Sequence, residues 1–322
     1  MNDEEVIRIT DLRTYFFVEE GTVKAVDGVS LRVRRGECLG IVGESGCGKS
    51  MTALSILRLV PEPPGKIVSG QVYFKGKDLL ELPEKAMRKV RGKDIAMIFQ
   101  EPSASMNPAF SIGNQIEEVI GFHQGGERDT VRGKALDILR AVQIPDPRRI
   151  LSQYPHELSG GMIQRVMIAM AITCVPDLLI CDEPTTALDI STQAQIIALL
   201  DELRQKSGTS MLFITHDLGI LSWICTSAAV MYAGSVIEYS DIRSILRSPL
   251  HPYTQALIES TPRIDSNANR LKVIPGQVPN LARSPAGCKF HPRCHLAEES
   301  CRETPPPLIE KEGGHWAACF LS

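Results

Sequence analysis

Short apolar runs alternate with stretches of helical periodicity along most of this chain. Four of these runs have the length of buried strands, and they occupy residues 38–42, 94–99, 178–181 and 211–214. Strands that alternate with helices are typical of an α/β domain with a largely parallel sheet. Residues 6–14 and 23–33 also have strand character, and the turn at residues 19–21 between them predicts an antiparallel flap.

The stretch from residue 102 to residue 175 contains no strand pattern. Its periodicity is helical at residues 116–120 and 130–142, so we expect a helical insertion into the α/β core. A further helix is expected at residues 191–207, with Gly208 as its end signal. Its predicted core stripe is Ile196, Leu199, Leu200 and Leu203.

Prolines recur from residue 249 onward and would interrupt long helices and central strands there. A chain of 322 residues is longer than one hydrophobic core usually supports. We therefore divide it into three parts. They are an α/β core of residues 1–100 and 176–247, a helical subdomain of residues 101–175 and a loop-rich C-terminal extension of residues 248–322.

The charge and hydropathy of the chain limit where it is expected to act and what it is expected to bind. The formal net charge of −3 gives no sign of a general nucleic-acid or anionic-membrane surface. The acidic start lacks the features of a secretion signal. The longest apolar stretch, residues 166–180, is interrupted by Pro176 and Asp177 and falls short of the roughly 20 residues that span a bilayer. We expect a cytoplasmic chain that acts at a membrane only through partners.

The nine cysteines fall into two groups. Five are scattered singly among apolar neighbours and are expected to be packed thiols. The odd total argues against a disulfide framework. Small irregular modules are commonly held together by a metal, and the other four cysteines lie in such a region. They are Cys288, Cys294, Cys301 and Cys319.

Residues 43–50 form a glycine-rich segment between a predicted strand and a helical pattern at residues 51–60. A phosphate-binding loop requires this setting. The glycines let backbone N–H groups face phosphate oxygens, the helix N-terminus favours negative charge, and Lys49 supplies a positive charge. Ser50 would offer its hydroxyl to Mg²⁺.

Polar side chains follow three other predicted strands. Asp182 and Glu183 follow one of them, and Gln100 and His216 each follow another. Because α/β sheets carry their sites at the carboxyl ends of the strands, we expect all four at one edge of the sheet. Asp182 could hold Mg²⁺, and Glu183 could accept a proton from an attacking water or polarise it.

A second glycine-rich segment contains Ser159, Gly160 and Gly161 and precedes a helical run at residues 163–173. It offers a second anion site at a helix N-terminus. Two such helix starts are more than one nucleotide needs in a monomer. They predict that two chains face each other and share each nucleotide.

Together these motifs resemble those of the ATP-binding subunits of ABC transporters. Walker A would be residues 43–50, the Q-loop would contain Gln100, and the signature would be residues 158–161. Walker B would be residues 178–183, the D-loop would be residues 187–189, and His216 would be the switch histidine. The resemblance covers about residues 5–245. It implies a P-loop NTPase core of the RecA-like type with the flap and the helical subdomain. It also implies two subunits that sandwich two ATP molecules, each held by Walker A of one subunit and the signature of the other.

The resemblance implies a catalytic role for Glu183, which would activate water, for His216, which would sense the γ-phosphate, and for Gln100. Mg²⁺ would be organised by Ser50, Gln100 and Asp182. Phe16 looks like the aromatic residue that stacks on adenine, although Tyr15 is adjacent. The expected nucleotide-binding residues are Phe16, Gly43, Ser45, Gly46, Cys47, Gly48, Lys49, Ser50, Met51, Ser159, Gly160, Gly161 and Asp189.

The signature departs from the family pattern at Met162, where the general family has glutamine. The backbone anion site at residues 159–161 survives this change. The departure raises the question of whether the partner's site is fully active, so a heterodimer with unequal sites and a homodimer both stay open.

Other details are similar to the dipeptide and oligopeptide importer ATPases. They are residues 101–102, 105–108 and 154–157, and especially His251, Pro252 and Tyr253 at the start of the extension. In that subgroup the tail cysteines resemble ligands of a [4Fe-4S] cluster, and four thiolates complete such a cluster. Five, six and seventeen residues separate successive cysteines, without the Cys-x-x-Cys spacing that zinc modules favour. A zinc site and unligated thiols stay open as alternatives.

We therefore expect the ATPase subunit of a peptide-type ABC importer at the cytoplasmic face of the membrane. Its expected partners are a second ATPase subunit, two transmembrane permease subunits and, indirectly, an extracytoplasmic peptide-binding protein. The alternatives are the motor of a nickel or opine importer, a soluble ABC ATPase, and an iron–sulfur or zinc sensor with a nucleotide switch. Soluble ABC proteins usually carry two cassettes or a long coiled-coil insertion, and this sequence has neither.

Overall fold

A computed structural model of the chain describes residues 4–186, 188–260 and 273–322. The strands in these ranges are β1 (Glu5–Val18), β2 (Gly21–Arg34), β3 (Cys38–Val42), β4 (Gly65–Phe74), β5 (Lys77–Asp78), β6 (Ile95–Ile98), β7 (Leu178–Asp182), β8 (Ser210–Thr215), β9 (Ser227–Tyr232), β10 (Ser235–Asp241), β11 (Ile309–Glu312) and β12 (His315–Ala317).

The helices in the same ranges are α1 (Lys49–Ile56), α2 (Glu84–Val90), α3 (Pro102–Ser105), α4 (Ile112–Gln124), α5 (Arg128–Ala141), α6 (Pro147–Ser152), α7 (Gly160–Ile172), α8 (Ile190–Ser207), α9 (Leu218–Ile224), α10 (Ile242–Arg247), α11 (Pro252–Ser260) and α12 (Ser300–Glu303). Short 3₁₀ turns occupy Pro155–Glu157, Leu281–Arg283 and His291–Arg293.

The chain forms two compact units. The helix-rich unit consists mainly of Leu82–Leu212, and the sheet-rich unit consists of Ile7–Val33, Glu37–Glu81 and Phe213–Ser322. The three-part division made from the sequence stays a prediction.

In the helix-rich unit, β6 and β7 are parallel neighbours, with Ile95 opposite Leu178 and Ile98 opposite Cys181. The first half of β8 follows β7 in the strand order. Both paired strands are buried along their whole length, which explains their continuous apolar sequences. The stretch after β6 forms helices α3 to α7, as the helical periodicity predicts.

In the sheet-rich unit, the strand order is β11, β12, β10, β9, β3 and the second half of β8. Strands β3 and β9 are parallel, whereas β9, β10, β12 and β11 pair antiparallel in turn. The C-terminal extension therefore adds two short strands to the edge of the sheet that carries β3. This addition was not predicted, because β12 has only three residues and the chain around it is rich in proline and glycine.

The flap in the sheet-rich unit is a second sheet with the order β2, β1, β4 and β5. The predicted pair of strands is present, but β4 and β5 complete the sheet. Strand β4 pairs antiparallel with β1, with Ile9 opposite Val72 and Phe16 opposite Gly65. Sequence periodicity missed β4 because polar residues interrupt its apolar positions.

Helix ends follow local signals in several places. Helix α8 begins where the Asp189 carboxylate accepts the N–H groups of Ser191 and Thr192, and it ends at Gly208, which has a left-handed backbone. Helix α1 is shorter than the predicted helix at residues 51–60, because Arg58 turns left-handed and the Leu59 N–H returns to the Leu54 carbonyl.

The alternation of strands and helices thus gives the α/β class with parallel strand pairs that was predicted. No helix among the described residues is long and apolar enough to cross a membrane.

Candidate functional site

Residues 43–50 form a loop between β3 and α1 whose path requires glycine at two positions. Gly48 has φ of 105°, and a Cβ atom there would lie 2.2 Å from the Ala25 carbonyl oxygen. A Cβ atom on Gly43 would lie 2.3 Å from the Met231 carbonyl oxygen. Both glycines therefore allow the loop to pass close to neighbouring backbone, and the backbone N–H groups of the loop can face a ligand.

The ammonium group of Lys49 lies at the loop itself. Its side chain is buried, and Nζ donates hydrogen bonds to the carbonyl oxygens of Gly43 at 2.8 Å and Glu44 at 3.1 Å. These acceptors are neutral. A phosphate held by the loop would offer the same ammonium charged acceptors, which form stronger hydrogen bonds.

The first turn of α1 favours an anion. It contains Ser50 and Met51 and no acidic side chain, so the positive end of the helix dipole is not neutralised locally. Cys47 is buried beside it, and burial raises the pKa of its thiol, which stays neutral. Ser45 and Gly46 are exposed at the tip of the loop.

In the helix-rich unit, two acidic residues follow each other at the end of β7. Asp182 and Glu183 are both buried, at 4% and 8% exposure. Glu183 has φ of 46°, an uncommon backbone for a residue other than glycine, and its Oε2 accepts a 2.9 Å hydrogen bond from the Thr186 hydroxyl. The backbone and this bond fix the direction of the carboxylate.

Gln100 lies beside these acids in the sheet order. It follows β6 by two residues, and Ile98 at the end of β6 pairs with Cys181, the residue before Asp182. Gln100 is exposed. A carboxylate, an amide and a second carboxylate therefore follow adjacent ends of parallel strands, and these are oxygen ligands of the kind that Mg²⁺ prefers.

His216 directly follows β8 and is exposed. In the sheet-rich unit, the second half of β8 is the neighbour of β3, the strand that leads into the phosphate-binding loop. The next residue, Asp217, caps helix α9 through the Gly219 N–H. The start of α9 thus fixes the backbone next to His216.

The signature segment forms the start of α7. Ser159 is the N-cap residue, its side chain makes no capping hydrogen bond, and Ser159 and Gly160 are exposed. The first turn of α7 contains no acidic residue. A Cβ atom on Gly161 would lie 3.0 Å from the Thr192 methyl group, so this helix start packs close to α8. The segment can accept an anion from outside the unit.

The Asp189 side chain caps the N-terminus of α8. Its carboxylate accepts hydrogen bonds from the N–H and hydroxyl groups of both Ser191 and Thr192. These bonds lower the pKa of Asp189, the largest cause being the hydrogen bond with Ser191. Ala187, the first residue of the predicted D-loop, lies outside the described residues.

Phe16 and Tyr15 lie on β1 and are both half-buried. The Phe16 ring contacts Gly65 on β4, where an added Cβ atom would meet Cε1 at 2.9 Å. The Tyr15 hydroxyl donates a 2.8 Å hydrogen bond to Asp27. The Tyr15 side chain is therefore bonded to a charged group, whereas the Phe16 ring carries no polar atom.

The four cysteines of the extension line a single cavity, together with His251, Phe290 and other apolar groups. Burial raises the pKa values of Cys288 and Cys294, and the nearby Cys301 and Cys319 thiols raise them further. Nevertheless, no three His, Cys, Asp or Glu side chains among the described residues are arranged to hold a metal ion. Neither the predicted cluster nor the predicted zinc ion is supported by this arrangement.

The number of thiols can be compared with each of the two predicted groups. The cavity brings four thiols together, which is the number that a [4Fe-4S] cluster takes. A single zinc ion draws its four ligands to within about 2.3 Å of one point, and the described side chains do not approach that geometry. A cluster is several atoms across and holds its ligands further apart.

Sequence reasoning missed a buried carboxylate that organises the extension. Glu238 on β10 accepts the N–H groups of Leu250 and His251 at 2.8 Å each, and its Oε1 lies 2.7 Å from Nε2 of His315 on β12. Burial lowers the pKa of His251 to about 4, so its neutral ring accepts the Tyr253 N–H at Nδ1. The signal in the sequence was an acidic residue, Glu238, directly after the apolar residues Val236 and Ile237, which lie buried in β10.

The parallel strand pairs and the phosphate-binding loop define the class of protein as a P-loop nucleoside triphosphatase. Residues 26–186 match the ABC transporter family, and residues 237–301 match the C-terminal region of oligopeptide/dipeptide transporters. The chain belongs to the ATP-binding proteins of the ABC transporter family, as the motifs predict.

Relatives match along nearly the whole chain. The probable peptide ABC transporter ATP-binding protein y4tR of Sinorhizobium fredii is 51% identical and covers 98% of this chain and 95% of its own length. The dipeptide transport ATP-binding protein DppD of Escherichia coli is 46% identical, and the oligopeptide transport ATP-binding protein AppD of Bacillus subtilis is 44% identical. Each of these two matches covers 98% of this chain and 96% of the relative.

Solved structures agree with the fold. The ATP-binding cassette MJ0796, in a dimeric post-hydrolysis state bound to ADP and phosphate, superposes with a TM-score of 0.66 at 27% identity. The match covers 74% of this chain and 99% of that cassette. The predicted P-loop NTPase core is thereby confirmed.

Proposed function

We propose that this chain is the ATP-hydrolysing subunit of an ABC importer for dipeptides and oligopeptides. The observation that carries the proposal is the presence, in one chain, of the Lys49 phosphate-binding loop and a C-terminal region of the oligopeptide/dipeptide transporter type. The loop supplies the ATP-binding site, and the C-terminal region indicates a transporter of the oligopeptide/dipeptide type.

The residues of the sheet-rich unit bind the nucleotide in this proposal. The backbone from Gly43 to Gly48 and the Lys49 ammonium hold the β- and γ-phosphates, Ser50 ligates Mg²⁺, and His216 contacts the γ-phosphate. Phe16 stacks on adenine. The glycine-dependent shape of the loop and the unneutralised start of α1 support these roles.

The residues of the helix-rich unit supply the hydrolytic chemistry. Asp182 and Gln100 orient Mg²⁺, and the Glu183 carboxylate orients and polarises the water that attacks the γ-phosphate. Burial of the two acids at the end of β7 supports the assignment, because a fixed carboxylate positions water without reorganisation.

The signature of this chain binds the ATP of a second subunit. Exposure of Ser159 and Gly160 at an unneutralised helix start supports this role, since an anion can reach it from outside. The related cassette MJ0796 is dimeric. The second subunit is a homologous chain in a heterodimer in this proposal, because Met162 stands where the family has glutamine and would differ chemically from a glutamine in the partner's signature.

Transport requires partners that this chain does not contain. We place the ATPase pair on the cytoplasmic face, against two transmembrane permease subunits that receive peptides from an extracytoplasmic binding protein. The names of the relatives, which refer to dipeptide, oligopeptide and peptide transport, support this cargo over nickel or opines.

The four tail cysteines hold a [4Fe-4S] cluster in this proposal. Cys288, Cys294, Cys301 and Cys319 would be its ligands. The cluster would hold together a tail with little apolar core of its own. Convergence of the four thiols on one cavity supports this assignment.

The experiment that tests the proposed function is purification of the tagged chain from membranes under anaerobic conditions, followed by reconstitution into vesicles. Co-purification of two membrane subunits, with peptide uptake that requires ATP, is the expected result. A chain that hydrolyses ATP alone and brings down no membrane protein would favour a soluble ABC ATPase. A chain whose tail ligands alter signalling without uptake would favour a metal sensor.

A further inference from the structure

Two side chains of the C-terminal extension bind one residue of the phosphate-binding loop. The guanidinium group of Arg293 donates two hydrogen bonds to the Glu44 carboxylate, at 2.7 Å from Nη1 to Oε2 and 3.0 Å from Nη2 to Oε1. The Tyr253 hydroxyl oxygen accepts the Glu44 backbone N–H at 2.9 Å. All three residues belong to the sheet-rich unit.

Arg293 is itself held rigidly. Its side chain is only 4% exposed, and Nε donates a 2.9 Å hydrogen bond to the Pro275 carbonyl oxygen. The guanidinium group also lies 5.8 Å from the centre of the Tyr232 ring and 6.0 Å from that of Phe290. An arginine guanidinium keeps its proton in proteins, so the positive charge beside Glu44 is permanent.

Tyr253 is equally fixed. It is fully buried, and its ring packs against the rings of Tyr232 at 4.7 Å and Phe290 at 5.4 Å between centres. Burial raises its pKa strongly, so the hydroxyl stays protonated. A neutral hydroxyl oxygen in a fixed position is a suitable acceptor for the Glu44 N–H group.

Glu44 also contacts the lysine that binds phosphate, because its carbonyl oxygen accepts a hydrogen bond from Nζ of Lys49 at 3.1 Å. The N–H group, the carbonyl oxygen and the carboxylate of one loop residue are therefore all bonded. Without Arg293, the carboxylate would be an uncompensated negative charge in a loop that receives phosphates, and like charges at short range oppose binding.

We infer that Arg293 and Tyr253 are positioning residues of the nucleotide site, which hold and neutralise Glu44 so that the extension fixes the phosphate-binding loop. The inference rests on the proposed function, because it takes residues 43–50 as the loop that binds ATP. The extension is then a working part of the ATPase and not only an appended module.

The test is titration of MgADP into the full chain, because ADP engages the loop without a partner's signature. The variants are Arg293→Gln, Tyr253→Phe and the double variant Glu44→Gln with Arg293→Gln. Arg204→Gln is the matched control, since Arg204 also forms a part-buried pair, with Asp201 at 2.7 Å, and its guanidinium group donates its other hydrogen bond to the Gly36 carbonyl oxygen, which lies outside the loop.

We expect Arg293→Gln to weaken MgADP binding by about tenfold, because the loop is less often in its binding conformation and Glu44 is uncompensated. Tyr253→Phe weakens it in the same direction. The double variant recovers to within about threefold of the wild type, since removing the carboxylate removes the repulsion. In the assembled ATPase, KM for ATP rises and kcat at saturation is little changed.

A wild-type chain that binds MgADP no better than Lys49→Ala would overturn the proposed function. Normal binding by Arg293→Gln and Tyr253→Phe would overturn only the inference. It is also overturned if Arg204→Gln weakens binding equally, or if the double variant binds as poorly as Arg293→Gln. Should Arg293→Gln fail to fold, Tyr253→Phe decides, since it deletes a single oxygen atom.

Discussion

The Thr186 hydroxyl donates a 2.9 Å hydrogen bond to Oε2 of Glu183. Glu183 is 8% exposed, and its backbone has φ of 46°, a conformation that costs energy for a side chain with a Cβ atom. A strained backbone and a fixed carboxylate at the end of a buried strand are common at functional sites.

Glu183→Gln should preserve nucleotide binding and lower the turnover rate by about 100-fold or more, because an amide cannot accept the proton of the attacking water. The measurement is steady-state ATPase activity of the assembled transporter, with MgATP binding measured in parallel. Thr186→Val is the companion variant and should lower kcat by about tenfold, since it removes a hydrogen bond that helps to orient the Glu183 carboxylate. Equal turnover in Glu183→Gln and the wild type would remove Glu183 from the mechanism.

Gly160→Asp should slow ATP turnover by the assembled transporter without affecting MgADP binding by the isolated chain. Among the described residues, the nearest atom to an added Cβ is Cδ2 of Leu188 at 4.0 Å, so we expect the fold to tolerate the change. The new negative charge repels the partner's nucleotide and should lower ATPase activity by about tenfold or more. MgADP binding to the isolated chain should be unchanged.

The control for this variant is Gly133→Asp on α5, where a Cβ atom would meet no atom of the described residues within 4 Å. It should leave both ATPase activity and MgADP binding at the wild-type level. A Gly160→Asp chain that hydrolyses ATP normally in the complex would contradict a signature shared between subunits.

Cys294→Ser should lower the iron content of anaerobically purified protein and reduce its melting temperature, because three thiolates hold a [4Fe-4S] cluster less well than four. Cys174→Ser is the control, since Cys174 is a half-buried thiol in the helix-rich unit. Iron, sulfide and zinc analysis, with the visible spectrum, makes the measurement. A Cys294→Ser chain that is folded and fully active without iron would refute a structural cluster.

Glu238→Gln should destabilise the sheet-rich unit by about 2 kcal/mol, because the amide nitrogen of glutamine cannot accept one of the two backbone N–H groups that the carboxylate accepts. Glu238 is fully buried, and it joins the start of the extension to its last strand through the N–H groups of Leu250 and His251 and the ring of His315. Chemical unfolding measures the change. Glu202→Gln, at an exposed pair with Lys206, should cost only about 0.5 kcal/mol. Equal effects of the two variants would contradict this role.

Much of the core could be predicted because its signals are local. Strands β3 and β7 are short apolar runs of the expected length, and the motif residues lie next to them in the sequence. Strand β9 was missed because Ala228 and Ala229 carry little strand preference, and its position depends on pairing with β3, far away in the chain.

The contacts of the site were less predictable than its residues. Lys49 is recognisable from its neighbours, whereas the bond between Glu44 and Arg293 joins positions 249 residues apart. Nothing in the local pattern around Glu44 distinguishes it from a solvated loop residue. Leu203 is a smaller example: it has the spacing of a core residue but is only half-buried, beside a surface cavity.

Peptide uptake by vesicles that contain the transporter purified through this chain tests the central claim most directly. The ATPase subunits face the lumen of the vesicles, and ATP is enclosed there. Labelled dipeptide is presented outside together with its binding protein. Uptake of the dipeptide into the vesicles is the expected result. The same vesicles with Glu183→Gln should bind ATP and take up almost none. Uptake that is unchanged by Glu183→Gln, or hydrolysis without any membrane partner, would contradict the account.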